Sequence, residues 1–294
     1  MKSIVVLSGK GGVGKSSIIA SLALILSKSH SLVCADCDVD TSNLSLLFNI
    51  PEEKYNEWKY LSTNQIAFVD KKKCINCNKC IDACYFDALK LSDGYPMVKE
   101  FGCEGCGACE LVCPTKAISL KDINNAKIGF SKTKYGFLIA SAQLMPGFSG
   151  SGKVVYEVRK KAKEISPNSE IMLIDASAGI GCPVIASVTG NDYALLVTEP
   201  TPSGFSDLKR ALSVVDHFGM KKGLIINKYD INSDIGDKIV DFAKENNISL
   251  LAKIQFDKEF VKAMTAMVPV IDFNNSYKSL FNDVANKITS VLFE

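Results

Sequence analysis

The sequence has no long apolar run and almost no excess of charge of one sign. No apolar segment among its 294 residues approaches the roughly 20 residues that a membrane-spanning helix needs. The formal net charge of +2 gives no reason to expect binding to nucleic acid or to an anionic membrane. The first residues lack the pattern of a secretory signal peptide, so we expect a cytoplasmic protein. In that compartment the eleven cysteines stay reduced, which favours metal ligation over disulfides.

A glycine-rich loop stands between an apolar strand predicted at 4–7 and an apolar helix predicted at 18–26. The loop matches the pattern G-x-x-x-x-G-K-[ST] in the strand–loop–helix context that this pattern requires. Its glycines let backbone N–H groups approach phosphate oxygens, while Lys15 reaches the β- and γ-phosphates and Ser16 ligates Mg²⁺. The alternative is a glycine-rich turn that binds no nucleotide. The predicted nucleotide-binding residues are Gly9, Lys10, Gly11, Gly12, Val13, Gly14, Lys15, Ser16 and Ser17.

The first lysine of the loop, Lys10, gives it the sequence Gly-Lys-Gly-Gly-Val-Gly-Lys-Ser. With this loop the chain resembles the MinD/ParA/Mrp group of P-loop ATPases, which includes the nitrogenase iron protein. The resemblance implies that Lys10 crosses the interface of an ATP-dependent homodimer and contacts the nucleotide held by the other subunit. A solvated loop lysine is the alternative.

Two further apolar strands end in carboxylates, at Asp36 and Asp38 and at Asp175. The carboxyl ends of parallel strands are where ligands bind in such sheets. The resemblance makes Asp38 the switch I residue that lies near Mg²⁺ and orients the attacking water. It makes Asp36 a support of the magnesium shell and Asp175 the Walker B ligand. The predicted catalytic residues are Lys10, Lys15 and Asp38, and the predicted magnesium ligands are Ser16, Asp38 and Asp175.

The resemblance also gives roles to Gly179 and Asn227. Gly179 lies in switch II, where its N–H would approach the γ-phosphate, and Asn227 follows a strand at 224–226, where it would read adenine. Asp40 has no counterpart in the family, and we interpret it as the N-cap of a helix beginning near Leu44. Cys182 has an offset from the Walker B residue similar to that of a cluster ligand in the nitrogenase iron protein. Because no second cysteine matches that enzyme, we interpret Cys182 as a small buried side chain.

Eight cysteines form two copies of the spacing C-x₂-C-x₂-C-x₃-C, which is the ligand pattern of bacterial two-cluster ferredoxins. Thiolates are soft ligands that suit iron–sulfur clusters, and in such ferredoxins the fourth cysteine of each run binds the other cluster. A zinc module is the alternative, although zinc sites rarely use eight cysteines in this order. One predicted 4Fe–4S cluster is bound by Cys74, Cys77, Cys80 and Cys113. The other is bound by Cys103, Cys106, Cys109 and Cys84.

The alternation of strands and helices predicts an α/β fold, a P-loop NTPase with a mostly parallel sheet and helices on both faces. We expect an ATPase domain at 1–70 and 122–294 and a small α+β ferredoxin-like domain inserted at 71–121. The segment 51–64 has a weak pattern and is interpreted as a surface connection. The last helix, near 280–292, lacks the basic face of a membrane-binding helix and is expected to pack on the sheet.

These features predict an ATP-hydrolysing iron–sulfur protein that performs nucleotide-gated electron transfer to or from a redox partner. The expected cofactors are ATP or ADP, Mg²⁺ and two 4Fe–4S clusters, and the expected protein partner is an unidentified redox or iron–sulfur client. We expect neither nucleic-acid binding nor membrane insertion. One alternative is an iron–sulfur cluster assembly or carrier ATPase of the Mrp type. A second alternative is a positioning ATPase like MinD and ParA.

Overall fold

The computed structural model describes residues 1–294, and the chain divides into two compact units. The larger unit consists of Met1–Lys59, Ile128–Gln143 and Gly150–Glu294. The smaller unit consists of Tyr60–Lys127 and Leu144–Ser149. The chain therefore passes into the smaller unit twice, and the predicted insert at 71–121 lies within its first segment.

The structure has thirteen strands and ten α-helices. In chain order the strands are β1 (Lys2–Leu7), β2 (Leu32–Cys37), β3 (Asn56–Leu61), β4 (Asn64–Val69), β5 (Leu89–Ser92), β6 (Tyr95–Val98), β7 (Ile118–Ile123), β8 (Ala126–Lys132), β9 (Leu138–Leu144), β10 (Ile171–Ala176), β11 (Tyr193–Thr198), β12 (Lys221–Ile226) and β13 (Ser249–Lys253). The helices are α1 (Lys15–Leu26), α2 (Lys79–Asp82), α3 (Ala108–Leu111), α4 (Gly152–Ile165), α5 (Cys182–Val188), α6 (Pro202–His217), α7 (Ser233–Glu245), α8 (Lys258–Thr265), α9 (Val270–Phe273) and α10 (Lys278–Phe293). Short 3₁₀ helices span Leu46–Phe48, Glu52–Lys54, Tyr229–Ile231 and Asn275–Tyr277.

Nine strands form one sheet in the order β13-β12-β11-β1-β10-β2-β9-β8-β3. Strand β1 pairs in parallel with β10 and β11, and β2 pairs in parallel with β10 and β9. Strands β2, β10 and β11 are buried along their whole length, which explains their nearly continuous apolar sequences. The predicted α/β fold with a mostly parallel sheet is therefore confirmed.

The helices that cover this sheet bury apolar faces. Ile4 and Val6 of β1 lie in one core with α1 and α10, and α10 buries Phe281, Val284 and Ile288 there. The last helix thus packs on the sheet, as predicted. Helices α4, α5 and α6 contact one another in sequence and pack on β2, β10 and β11. None of the helices has the length and apolar character needed to cross a membrane.

The smaller unit has two short antiparallel pairs, β4 with β7 and β5 with β6, together with the one-turn helices α2 and α3. Its apolar core is small. The fully buried members are Ala67, Leu89, Ile118 and the two cysteines Cys80 and Cys109. A core of this size stabilises a unit weakly.

The cysteine repeat is also a repeat of backbone conformation. Positive φ angles recur at positions 29 residues apart, which is the offset between the two cysteine runs. Asparagine or glycine fills four of these positions, because these residues adopt the left-handed region most easily. The pairs are Asn76 with Gly105, Asn78 with Gly107, and Asp87 with Lys116.

The segment 51–64 is not only a surface connection, because it contains β3 at one edge of the large sheet. None of the residues of β3 is fully buried, since an edge strand pairs on one side only. Its sequence therefore lacks the apolar run that marks the central strands. The rings of Tyr55 and Trp58 stack 4.8 Å apart and lie against Gly129 of β8.

Candidate functional site

The glycine-rich loop joins β1 to α1 in a conformation that requires glycine. Gly14 has φ 92°, and a Cβ there would overlap the Nδ2 atom of Asn227. A Cβ at Gly9 would overlap the backbone carbonyl of Asp207. Helix α1 begins at Lys15 with no side-chain cap, so its first N–H groups have no partner from a capping residue. A helix terminus of this kind favours a phosphate group.

Lys15 is the centre of a buried charge cluster at the carboxyl ends of β1, β2 and β10. Its side chain is only 6% exposed, and its Nζ forms a short ion pair with Asp175 Oδ1 and a longer one of 3.4 Å with Asp38 Oδ2. The hydroxyl of Ser16 donates to Asp175 Oδ2 at 2.9 Å. The structure thus brings together the four residues that the sequence predicts for phosphate and magnesium binding.

The pKa values of this cluster reflect burial and mutual attraction. Burial acts to lower the pKa of Lys15, but Asp175 and Asp38 outweigh it and hold the ammonium charged. Burial raises the pKa of Asp38, although Lys15 works against this. One buried cation therefore faces two carboxylates, Asp38 and Asp175.

Asp36 lies beside this cluster, in register with Asp175 on the neighbouring strand. It is completely buried, and its Oδ2 accepts hydrogen bonds from the Ser42 hydroxyl at 2.7 Å and the Leu44 N–H at 3.2 Å. Its Oδ1 has no hydrogen-bond partner. Burial, together with the negative charge of Asp175, raises the pKa of Asp36 to about 8. Asp36 holds the segment after β2 in place, which is compatible with its predicted supporting role.

Asn227 and Lys228 brace the loop from β12. The Asn227 Nδ2 donates to the carbonyl of Val13 at 2.8 Å, and its Oδ1 accepts from the Lys228 N–H at 3.0 Å. The Lys228 Nζ donates to the carbonyl of Gly12 at 3.1 Å. The amide of Asn227 is thus engaged with the protein itself, and its predicted contact with adenine would have to use its remaining N–H and lone pair.

Glu199 joins Lys228 to Lys10. Its carboxylate forms ion pairs with Lys228 Nζ at 2.8 Å and with Lys10 Nζ at 3.2 Å. Burial acts to raise the pKa of Glu199, but the hydrogen bonds from the two lysines hold it below its usual value. The Lys10 side chain is 41% exposed and also bonds the Ser203 hydroxyl at 3.3 Å. No local motif marks Glu199 or Lys228, so the sequence does not predict their contacts with the loop.

A cavity of about 780 Å³ opens beside the loop, within the size range of small-molecule sites. It is lined by loop residues with Asp38 and Asn227, and also by apolar side chains such as Phe256, Phe260 and Met264. The predicted switch II residue Gly179 does not line it. Gly179 has φ 100° and donates its N–H to the carbonyl of Ser8 at 3.0 Å, so this N–H is occupied in the present conformation.

Two interpretations of single residues are wrong. Asp40 caps no helix: its Oδ1 accepts the N–H of Gly150 at 2.8 Å, so it ties the segment after β2 to the residue where the chain returns from the smaller unit. Cys182 is exposed rather than buried, because it lies at the first turn of α5. For Asp40 the partner is a distant residue that the local sequence does not specify.

The eight repeated cysteines converge in two groups of four. The first cysteine set, Cys74, Cys77, Cys80 and Cys113, lines one small cavity. The second cysteine set, Cys84, Cys103, Cys106 and Cys109, lines another. All eight are free thiols, and each set takes its fourth member from the other run, as the spacing predicts.

Backbone N–H groups point at several of these sulfurs. Ala88 donates to Cys84 Sγ and Ala117 donates to Cys113 Sγ, both at 3.2 Å, and Ala67 donates to Cys103 Sγ at 3.4 Å. Burial acts to raise the pKa of Cys113, but the bond from Ala117 leads the interactions that lower it. No three cysteine, histidine or acidic side chains lie close enough to hold a single metal ion.

A family model of the CobQ/CobB/MinD/ParA nucleotide binding domain matches residues 4–270. The chain belongs to this family. An uncharacterized protein of Methanocaldococcus jannaschii, MJ0578, is 33% identical over 287 residues, which cover 97% of this chain and 95% of that protein. Septum site-determining protein MinD of Pyrococcus horikoshii, solved in complex with Mg-ADP, has a TM-score of 0.58 at 18% identity over 98% of this chain and 95% of that one.

The match to the CobQ/CobB/MinD/ParA family includes the glycine-rich loop and the strands that carry the carboxylates. A third relative is similar to part of the chain only. An uncharacterized ferredoxin of M. jannaschii, MJ0155, is 29% identical over 101 residues, which cover 34% of this chain and 58% of that protein. This CobQ/CobB/MinD/ParA chain therefore combines a nucleotide-binding fold with a region that is similar to a ferredoxin.

Proposed function

We propose that the protein binds and hydrolyses ATP with Mg²⁺ and uses the nucleotide state to control electron transfer through two 4Fe–4S clusters. The observation that carries the first part is the convergence of Lys15, Ser16, Asp38 and Asp175 at the mouth of the phosphate cradle. Hydroxyl and carboxylate oxygens suit Mg²⁺, which requires hard oxygen ligands. Ser16 and Asp175 would hold the ion and Lys15 would bind the β- and γ-phosphates.

Asp38 is the residue we assign to the attacking water. It is 17% exposed, unlike Asp175, and it lies on the cavity wall. In the present conformation it shares Lys15 with Asp175, so a bound phosphate that attracts Lys15 would release Asp38 from this ion pair. Phosphoryl transfer depends chiefly on positioning and electrostatic stabilisation, and these residues supply both.

The two cysteine sets support the second part of the proposal. Each set provides four thiols around one space, and backbone N–H groups directed at the sulfurs stabilise thiolates and tune cluster potentials. When bound, the clusters would supply one-electron chemistry. The chain itself would hold them, keep their sulfurs hydrogen-bonded and leave Cys77 and Cys106 exposed to a partner.

Protein purified without oxygen is expected to contain about eight irons and eight sulfides per chain, from two four-iron clusters. Cys77→Ser should halve the iron and loosen the whole smaller unit, because both runs contribute to each set. The measurements are iron and sulfide analysis, EPR of the reduced protein, and proteolysis. Cys182→Ser is the control, since Cys182 lies outside both sets and should keep full iron content. One or two zinc ions per chain with no sulfide would contradict the cluster assignment.

Lys10→Ala is expected to bind nucleotide as a monomer and to fail to dimerise. The reason is that Lys10 extends away from the cradle towards Glu199 and Ser203, so nucleotide binding within one subunit does not need it. Light scattering with a non-hydrolysable ATP analogue measures the mass. Ser203→Ala is the control, because it removes a contact of Lys10 but keeps the lysine. An analogue-dependent dimer of Lys10→Ala would remove Lys10 from the interface.

Electron transfer is distinguished from cluster delivery by the stability of the bound iron. A protein that transfers electrons should keep its iron when mixed with an apo-ferredoxin acceptor and ATP, whereas a carrier should lose it to the acceptor. If iron appears on the acceptor in an ATP-dependent manner, the function is cluster delivery and not gated electron transfer.

A further inference from the structure

The two halves of the smaller unit have the same backbone but opposite charge. Residues 70–82 and 113–118 border the first cysteine set, with four lysines against two aspartates in the first range and one lysine in the second, a net charge of +3. The equivalent residues at the second set, 99–111 and 84–89, contain one lysine against three glutamates and one aspartate, a net charge of −3. Because the two halves share one backbone fold, the fold itself does not require this difference in net charge.

The first half carries five lysines, which we call the basic face: Lys71, Lys72, Lys73, Lys79 and Lys116. All five are exposed. The turn at 70–74 is fixed beside Lys116, because the Asp70 N–H donates to the carbonyl of Ala117 at 2.8 Å. Lys79 lines the same cavity as the first cysteine set.

Most of this charge is not neutralised within the chain. Lys73 has a single ion pair, with Asp70 at 4.0 Å, and Lys71 lies over the ring of Tyr95 at 5.5 Å from its centroid. No carboxylate pairs with Lys72, Lys79 or Lys116. At the second set, by contrast, Asp87 takes the position equivalent to Lys116, and its ion pair is with Lys99.

An exposed apolar side chain lies between the lysines in the sequence and shares the cavity of the first cysteine set with Lys79. Ile75 is 62% exposed, lines the cavity of the first cysteine set and lies next to the exposed Cys77. The equivalent of Ile75 in the second half is Glu104. An apolar centre with a charged rim is the arrangement of protein–protein interfaces, in which the rim charges steer the partner and fix its orientation.

We propose that the basic face docks a small acidic redox protein, which would bind over Ile75 and Cys77 next to the first cysteine set. This inference rests on the proposed electron-transfer function, since it assigns the partner of that site. A partner with a negative surface complements the five lysines, whereas the acidic second half would repel it. Docking therefore occurs at one of the two halves only, in spite of their common fold.

Binding of an acidic flavodoxin, used as the probe, tests the inference with the full-length, iron-loaded protein. Fluorescence anisotropy of labelled flavodoxin gives the Kd at low and at high ionic strength. The triple variant Lys72→Gln/Lys79→Gln/Lys116→Gln should weaken binding at low salt by at least about tenfold and should lose most of the salt dependence, because screening acts on these charges. No cysteine ligand is changed.

Two control variants are used. The first removes the same number of lysine charges as the test variant, and the second changes charges within the same smaller unit. Lys28→Gln/Lys163→Gln/Lys238→Gln removes three exposed lysines of the larger unit, and Glu104→Gln/Glu110→Gln removes two of the negative charges of the second half. Both should bind flavodoxin at least as tightly as the parent protein. Iron analysis of each preparation separates loss of clusters from loss of docking, and absence of iron from the parent protein would contradict the proposed function itself. Equal affinity of the two triple variants would overturn the inference at any iron content. Lysine-dependent binding to a short DNA duplex but not to flavodoxin would also overturn it.

Discussion

Replacing Lys15 by alanine is expected to reduce ATP hydrolysis by at least about 10²-fold, the cost of removing one preorganised electrostatic group from a transition state. Lys15 is the only cation in contact with both Asp38 and Asp175, and we assign it to the β- and γ-phosphates. Nucleotide binding should weaken as well, because the same ammonium would neutralise the bound phosphates. Steady-state phosphate release and fluorescent-nucleotide titration measure the two effects.

The same substitution should destabilise the fold. Lys15→Ala leaves Asp175 buried next to Asp36 with no cation, and breaking a buried ion pair by removing one partner costs about 3–5 kcal/mol. Thermal unfolding must therefore accompany the activity measurement. Asp38→Ala separates the two effects, because it removes one carboxylate from a crowded cluster and should keep or raise the melting temperature. We expect it to bind ATP and to hydrolyse it slowly.

Lys28→Ala is the matched control, since Lys28 is an exposed lysine just beyond the end of α1. It changes the net charge by the same amount and should leave hydrolysis unchanged. Turnover by Asp38→Ala at the rate of the parent protein would remove Asp38 from the catalytic assignment. Turnover by a folded Lys15→Ala protein at the rate of the parent protein would remove the glycine-rich loop as the catalytic site.

The sequence predicts those parts of the site whose functional residues lie close together along the chain. The loop, the strand ends and the two cysteine runs each carry their function within about ten residues, and the parallel sheet then aligns the strand ends. Register pairs Asp175 with Asp36, which brings together residues that are far apart in the chain. The strand ends meet at one edge of the sheet whatever the order of the strands, because the carboxyl ends of parallel strands share one edge.

The parts that the sequence does not predict depend on where loops from distant segments meet. Glu199 holds both Lys10 and Lys228 because the segment after β11 lies across the glycine-rich loop. Asp40 is of a residue type that often caps helices. Its side chain instead accepts a hydrogen bond from the Gly150 N–H, and Ser45 is the residue that precedes the short 3₁₀ helix. In each case a polar side chain has several local partners in principle, and only the tertiary structure decides among them.

The contact between Asp40 and Gly150 leads to the last prediction, which concerns coupling between nucleotide and clusters. Asp40 lies two residues after Asp38, and Gly150 directly follows the second segment of the smaller unit, Leu144–Ser149. Packing here is tight, because a Cβ on Gly150 would lie 2.7 Å from Asp40 Oδ2 and 2.8 Å from Val39 Cγ2. Movement of switch I with the γ-phosphate would therefore act on the chain where it leaves the smaller unit.

We expect the reduction potential of the clusters to differ between the ATP and ADP states. A coupling free energy of about 1–3 kcal/mol between two sites corresponds to roughly 40–130 mV for a one-electron couple. The measurement is a redox titration followed by EPR in each nucleotide state, with Asp38→Ala used to keep ATP uncleaved. By linkage, reduction of the clusters should change the ratio of ATP to ADP affinity by the same factor.

Variants at this contact show whether Asp40 transmits the coupling. Asp40→Ala removes the acceptor of the Gly150 N–H and should bring the two titrations together, whereas Asp40→Asn keeps an Oδ1 acceptor and should preserve the difference. Gly150→Ala should force switch I and the returning chain apart, and Gly152→Ala is its control, because a Cβ there meets its nearest neighbours at an ordinary 3.4 Å.

If the parent protein gives superimposable titrations with ATP and ADP, the nucleotide does not gate the clusters. A nucleotide-dependent difference that survives Asp40→Ala would instead place the coupling in another segment of the chain.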